Sequence, residues 1–320
     1  MRTLLYAIAE EPLGTMSTSV FALLLMADPA ALVDAAKRSG TDGLVLIRNG
    51  QKVAELTPTK RVHVQSVSKV MLNLAAGCLR TDGRLPSLDI TVGEVLPELK
   101  ADPKAPVTLR QLMGHVSGVL HPRNAKGNNA EEFKKLGDTR SFAFGQPLED
   151  PPGTKRRYNN TGMILTGAMV ERLAGEPLPK YIQRRLLDPM GIRTAQWMKE
   201  RAGNAFGYMG LVINAEDLAK LGQLVLDEGQ WDGRTLIDRE WMRESTTQAA
   251  YPGLSANQGL IWMFQGGEPG APALIQHSGD GGNWLMILPK LRAVATRVRD
   301  SASSDSMDFP NMAVALLRQP

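Results

Sequence analysis

The chain has 320 residues, 43% of them hydrophobic and 22% charged, and a formal net charge of +4. This length and balance describe a globular protein that buries a sizeable core, in one large domain or two interleaved ones, and exclude a disordered or fibrous chain. The basic residues fall in scattered groups such as Lys134-Lys135 and Arg184-Arg185 without interleaved aromatics, and Cys78 is the only cysteine, so no nucleic-acid partner, internal disulfide or Cys-rich metal site is expected.

Residues 1–27 read as an N-terminal extension. Its apolar patches are broken by Glu10-Glu11 and are too short to cross a membrane, and the second, Val20 to Ala27, has no basic flank. Without a recognisable signal peptide, a soluble cytoplasmic protein is expected. Asp28-Pro29 predicts a helix start and Gly40 its stop. Two β-rich runs, Gly43 to Arg48 and Gln51 to Leu56, flank Asn49-Gly50, the pair that suits a type I′ hairpin turn. A helix opening near Ser66 and ending near Asp82-Gly83 follows, and its run Val70 to Leu79 is mostly apolar.

The middle third predicts helices with frequent breaks. Thr91 with Glu94 and Thr108 with Gln111 fit capping boxes. Residues 123–150 carry little periodicity and predict an irregular loop over a pocket. Helices are predicted from Thr161 to Leu173, stopping at Gly175, and from Asn214 towards Gly229. Strand-length runs then return at Gly259 to Phe264, Ala273 to His277, Trp284 to Leu288 and Ala293 to Val298, with a closing helix over Asn311 to Leu317. Strands at both ends with helices between them predict an antiparallel sheet built from the two termini, with a helical region inserted.

Three stretches carry the chemistry. Ser66 and Lys69 stand three residues apart, one helix face, at the mouth of the apolar run. A serine hydroxyl needs a neighbour to take its proton, and a lysine does so only when burial or other cations lower its pKa. Ser-x-x-Lys by itself is a weak signal. Tyr158 and Asn160 precede the helix that ends at Gly175, and His277-Ser278-Gly279 lies at a predicted strand end before Asp280-Gly281-Gly282.

Ser66-Val-Ser-Lys69, Tyr158-Asn-Asn160 and His277-Ser-Gly279, in this order and spacing, resemble the serine β-lactamase and penicillin-binding-protein superfamily, in its class C-like branch. That branch also holds D-Ala-D-Ala carboxypeptidases, D-aminopeptidases, family VIII-type esterases and aminohexanoate-oligomer hydrolases. Asp82-Gly-Arg-Leu, Thr108 to Gly118, Pro152-Gly-Thr and Asp217-Leu-Ala-Lys-Leu-Gly extend the likeness from about Leu44 to Val298. Agreement among independent features makes the set specific.

The resemblance implies an α/β (α+β), β-lactamase/transpeptidase-like fold. It implies one catalytic domain over residues 28–320, with an α/β part at about 28–80 and 230–320 and a mainly helical part at about 81–229. It implies a serine hydrolase that cleaves a small ester or amide through an acyl-Ser66 intermediate, without cofactor or metal. Esterase-like or D-peptidase-like activity is expected. A class C-like β-lactamase of low activity, or a penicillin-binding sensor that acylates without turnover, is the alternative.

Residue by residue, Ser66 would be the nucleophile and Lys69 its deprotonating partner. Tyr158 would exchange protons with Ser66 and the leaving group. An ordinary phenol, with a pKa of about 10, does not do this freely at neutral pH, so Lys69 must stabilise the phenolate or share its proton. Asn160 would orient Lys69 and bind a substrate carbonyl, or cap the following helix. His277, Ser278 and Gly279 would flank the acyl group. The backbone N–H groups of Ser66 and Asp280 would form the oxyanion hole.

One departure matters. Class C β-lactamases typically carry Lys-Thr-Gly as the third motif, where this chain has His277-Ser278-Gly279. A histidine at its ordinary pKa is mostly neutral near pH 7, so the fixed cation for a β-lactam carboxylate is missing. Arg297 or Arg299 on the last strand is the remaining source of a cation in this reading. His115 and His121 read as structural or surface residues.

Overall fold

Gly43 pairs with Val298, so the sheet is closed by segments from opposite ends of the chain. The computed structural model describes residues 28–123, 135–205, 207–247, 257–268, 271–300 and 307–319. The expected N-terminal extension lies outside the described residues.

The predicted hairpin forms β1 (Gly43–Arg48) and β2 (Gln51–Leu56). Its Asn49 and Gly50 adopt φ of 51° and 76°, the positive pair that a type I′ turn demands. Short strands β3 (Val62–His63), β4 (Gln196–Trp197) and β5 (Leu211–Ile213) form a second sheet in the order β3-β5-β4, and β6 (Gln230–Trp231) pairs with β7 (Arg234–Thr235). Then come β8 (Met263–Glu268), β9 (Ala271–Gly279), β10 (Asn283–Leu288) and β11 (Ala293–Val298). The main sheet has the order β2-β1-β11-β10-β9-β8, with every neighbouring pair antiparallel.

Alternation along the strands gives the sheet two buried faces. Leu44, Leu46, Met286, Ala293 and Ala295 pack against the helices Pro29–Arg38 and Phe309–Leu317. Val45, Ile275, Leu285, Ile287 and Val294 face the larger cluster that includes Leu218 and Leu221 of the helix Ala215–Leu226. The helix Val70–Thr81 is buried at every position from Val70 to Leu79. Burying the larger side chains among them, Val70, Met71, Leu72, Leu74 and Leu79, contributes roughly 1.5–3 kcal/mol each, which anchors this helix in the helical layer.

Both predicted capping boxes form, at Thr91 with Glu94 and Thr108 with Gln111. The helix Asn160–Ala174 ends at Gly175 with φ 67°. Three expectations change. A helix, Thr139–Gly145, occupies part of the stretch read as irregular; Asp138 caps it and Ala143 is buried. Its seven residues span too few turns to show periodicity. Residues 124–134 of that stretch lie outside the described residues.

The strand expected from Gly259 begins instead at Met263. Ile261 has φ 75° and donates its N–H to the carbonyl of Met113, so Leu260, Ile261 and Trp262 are apolar because they plug the core, not because they alternate. The turn holding Ser66 is a 3-10 helix, Gln65–Lys69, that becomes α-helical only at Val70. Among the described residues, no helix is long and apolar enough to cross a membrane.

Candidate active site

The Ser66 turn is clamped from outside. Val64 donates its N–H to the carbonyl of Leu211 at 3.0 Å, and the Leu211 N–H donates to Ser68 Oγ at 2.9 Å. Between these anchors Gln65 takes φ 51°, a conformation uncommon for a residue with a side chain. The clamped, strained turn leaves Ser66 half-buried while Val67, Ser68 and Lys69 point inward.

Lys69 is fully buried. Its Nζ donates to Ser66 Oγ at 2.9 Å and to the backbone carbonyl of Tyr208 at 2.8 Å. The ammonium also stands over the ring of Tyr158, 5.0 Å from the centroid. Burial lowers its pKa from the ordinary 10.5, and Tyr158 opposes that shift.

Tyr158 lies just before the helix Asn160–Ala174, and its hydroxyl donates to Ser66 Oγ at 2.8 Å. Ser66 Oγ therefore receives hydrogen bonds from both an ammonium and a phenol. His115 seats the phenol from behind, with ring centroids 4.9 Å apart. Its Nδ1 accepts from the Asn159 N–H at 3.2 Å and its carbonyl accepts from the Arg157 N–H at 2.9 Å. Burial and the cations of Arg156 and Lys69 hold the imidazole well below its usual pKa, so it stays an acceptor at neutral pH.

The cap of the Asn160–Ala174 helix is Asn159, whose Oδ1 accepts from the Gly162 N–H at 2.8 Å and whose Nδ2 donates to the Val119 carbonyl at 2.5 Å. Asn160 is the first helical residue and is buried. The hydrogen bonds that aim Lys69 go to Ser66 and Tyr208, and Asn160 is not among their acceptors.

His277 stands on β9, buried, and its Nδ1 donates to the carbonyl of Ser278 at 2.9 Å. Burial, aided by the Lys69 cation, pushes its pKa down to about 3, so the third motif presents a neutral imidazole. Ser278 is paired with Trp284 and by alternation occupies the opposite face from His277. A Cβ on Gly279 would stand 2.4 Å from the Val64 carbonyl oxygen and 3.2 Å from Gln65 Cβ, so only glycine lets the end of β9 abut the Ser66 turn. Asp280 follows with an exposed side chain whose Oδ1 accepts from the Gly281 N–H at 3.0 Å.

Arg297 and Arg299 do not supply the missing cation. Both are fully buried on the sheet face opposite His277. Arg297 reaches Thr41 Oγ1 at 2.8 Å and Ser39 Oγ at 3.0 Å, and Arg299 reaches the carbonyls of Ser39 at 2.9 Å and Gly281 at 2.8 Å. They brace the turn after the third motif against the helix end at Ser39.

Sequence reasoning missed two contributors. The carbonyl of Tyr208 is a backbone atom and leaves no residue-type signature. His115 read as structural; its place behind Tyr158 depends on its own φ of 58°, which residue type alone does not reveal. Among the described residues, no group of three His, Cys, Asp or Glu side chains is placed to hold a metal ion.

The family model described as Beta-lactamase matches residues 8–318. The chain belongs to the beta-lactamase family. It has the beta-lactamase fold. Among curated relatives it is 30% identical over 193 residues to the lovastatin esterase of Penicillium rubens, covering 52% of this chain and 47% of that one. The chain thus spans about half the length of that relative. It is 24% identical over 306 residues to the N-acetylmuramyl-L-alanine amidase of Bacillus subtilis, covering 75% of this chain and 68% of the other. Among solved structures, EstCE1, a hydrolase with promiscuous acyltransferase activity, superposes with a TM-score of 0.72 at 17% identity, covering 94% of this chain and all of that one (100%). This family member thus keeps the beta-lactamase fold while its third motif carries a neutral histidine.

Proposed function

We propose that this protein hydrolyses a small ester or amide through a covalent acyl-Ser66 intermediate, with esterase-like or D-peptidase-like specificity. The observation that carries the reading is the convergence of Lys69 Nζ and Tyr158 Oη on Ser66 Oγ, at 2.9 and 2.8 Å.

In this reading Lys69, with a pKa lowered by burial, reaches its neutral amine form more readily than a free lysine. As Ser66 Oγ bonds to the substrate carbonyl carbon, its proton passes to Lys69. Tyr158 then protonates the departing alkoxide or amine and recovers a proton from Lys69. Water attacks the acyl carbon by the reverse relay, which frees the acid and restores Ser66. The backbone N–H groups of Ser66 and Asp280 receive the oxyanion. The glycine contact between residue 279 and Val64 supports this by bringing the two backbones together. Asn160 and His277 line the substrate side, and Ser278 completes the strand.

The buried neutral imidazole of His277 favours esterase or peptidase action over β-lactamase action, because it offers no permanent cation to a β-lactam carboxylate. Ser66→Ala should abolish both hydrolysis of p-nitrophenyl butyrate and covalent labelling by a fluorophosphonate, read by intact-mass spectrometry. Activity retained by that variant would sink the assignment. A stable penicillin adduct on the wild type without ester turnover would favour the acylating sensor instead.

A further inference from the structure

Most partly exposed arginines near the helical layer carry an acidic partner: Arg110 with Asp89 and Glu244, Arg123 with Glu149, Arg140 with Glu171, Arg157 with Asp150, Arg172 with Glu98. Arg156 is different. It is half-buried, and among the described residues it pairs with no carboxylate. Its Nε donates to the Oε1 of Gln258, a neutral amide. Burial lowers its pKa from 12.5, and among the described residues the group that opposes that shift is the Tyr158 phenol, not a carboxylate; Arg156 remains a cation at neutral pH.

An unneutralised guanidinium held partly out of water is costly, and its remaining N–H donors match a carboxylate in fork geometry.

Its position gives that cost a use. Arg156 precedes Tyr158 by two residues on a stretch that is neither helix nor strand, and the electrostatic influence of Tyr158 on Arg156 places the two side chains near each other. Arg157, between them, is already paired with Asp150 at 2.7 Å. Gln258 bridges to Met263, and Met263 pairs with Gln276, the neighbour of His277. The Arg156 head therefore spans from the Tyr158 stretch to the sheet edge beside His277. That edge adjoins the third motif, which carries a histidine in place of a lysine cation. The electrostatic influence of Arg156 on His115 places its charge in the same neighbourhood.

We propose that Arg156 is a specificity residue that binds a carboxylate on the substrate acted on at Ser66. It would supply from the tyrosine stretch the positive charge that His277 does not supply from the sheet. The inference rests on the acyl-enzyme reading above and narrows it to esters or amides that carry an anionic group.

The test uses two pairs of substrates that differ only in charge. One pair, 3-carboxyphenyl butyrate and 3-carbamoylphenyl butyrate, varies the leaving group. The other, mono-p-nitrophenyl adipate and its methyl ester, varies the acyl group. The wild type should prefer the anionic member of at least one pair in kcat/KM. Arg156→Gln should cut that anionic-to-neutral ratio tenfold or more, mainly through KM, and Arg156→Lys should keep an intermediate ratio. No preference in the wild type, or a ratio within twofold of wild type in Arg156→Gln, overturns the proposal. Either result leaves the Ser66 reading intact if Ser66→Ala is inactive on the neutral ester. Hydrolysis retained by Ser66→Ala overturns that reading instead, while the charge ratio still tests the anion site. The wild-type preference decides the matter even if the glutamine variant does not fold.

Discussion

Gly279 lies against Val64 so closely that a methyl group on it would stand 2.4 Å from the Val64 carbonyl oxygen. This contact joins the end of β9 to the turn that presents Ser66, and no flexible side chain is there to yield. Gly279→Ala must therefore shift backbone. Overpacking of this kind costs about 1–3 kcal/mol. Its melting temperature should fall and hydrolysis of p-nitrophenyl butyrate should drop more than tenfold. A variant with both unchanged would show that the junction is not rigid.

Lys69 offers a test that separates activity from stability. Lys69→Met keeps most of the side-chain volume while removing an amine that is fully buried. A buried ammonium is expensive, and apolar replacements of buried charges are often neutral or stabilising. The variant should lose acylation by about a thousandfold or more and yet melt at or above the wild-type temperature. Calorimetry and fluorophosphonate labelling rates read the two effects. Parallel loss of both would assign Lys69 to the scaffold.

The pH dependence of acylation follows from the direction of the Lys69 shift. Burial favours the neutral amine, which the proposed relay would use as proton acceptor. The rate should rise with pH and level off below the ordinary lysine value of 10.5. A rate that falls as pH rises from neutral, or climbs only above that value, contradicts the role.

His277 makes a separate prediction about acid. Its folded pKa, about 3, lies below its ordinary 6.5. Between those values the unfolded chain binds a proton that the folded chain excludes. Stability contributed by neutral His277 is thus complete above pH 6.5 and is lost as pH falls towards 3. The loss is on the order of a few kcal/mol. His277→Gln should flatten urea stability between pH 6.5 and 4, though His115, shifted the same way, keeps part of the slope. An unaltered slope would mean that His277 is hydrated in solution.

His115 should act on the rate without touching substrate. His115→Ala removes both the ring behind Tyr158 and the acceptor for the Asn159 N–H. Freed from that seat, Tyr158 meets Ser66 less often, and kcat should fall about tenfold or more with KM little changed. His115→Phe restores the ring alone and should recover part of kcat. A change confined to KM would place the defect in binding.

Much of this was legible in the sequence because it is local. Asn49-Gly50 named its turn, the threonines named their capping boxes, and Ser66 with Lys69 shared a helix face. Long-range placement was less so. Strands at both ends implied a joint sheet, but not that β11 would insert between β1 and β10. Burial misled where apolar residues plug the core without alternating, as at Leu260 to Trp262. The cap read at Asn160 falls instead on Asn159, because the two side chains are chemically identical and only φ and ψ decide. Arg297 and Arg299 alternated correctly onto one face, yet nothing local said which face held the site.

The position of β11 has a consequence for how the molecule comes to exist. Its hydrogen-bonding partners on one side, β1, are synthesised almost at the start of the described chain, and the strand itself almost at the end. Until it arrives, the hairpin of β1 and β2 has an open edge that is a template for wrong partners. Sheets assembled from such distant segments form slowly. A nascent chain carrying Ser66 and Tyr158 is therefore unable to complete the scaffold that aligns them. Catalytic competence should appear abruptly, only after Val298 has left the ribosome and can pair with Gly43.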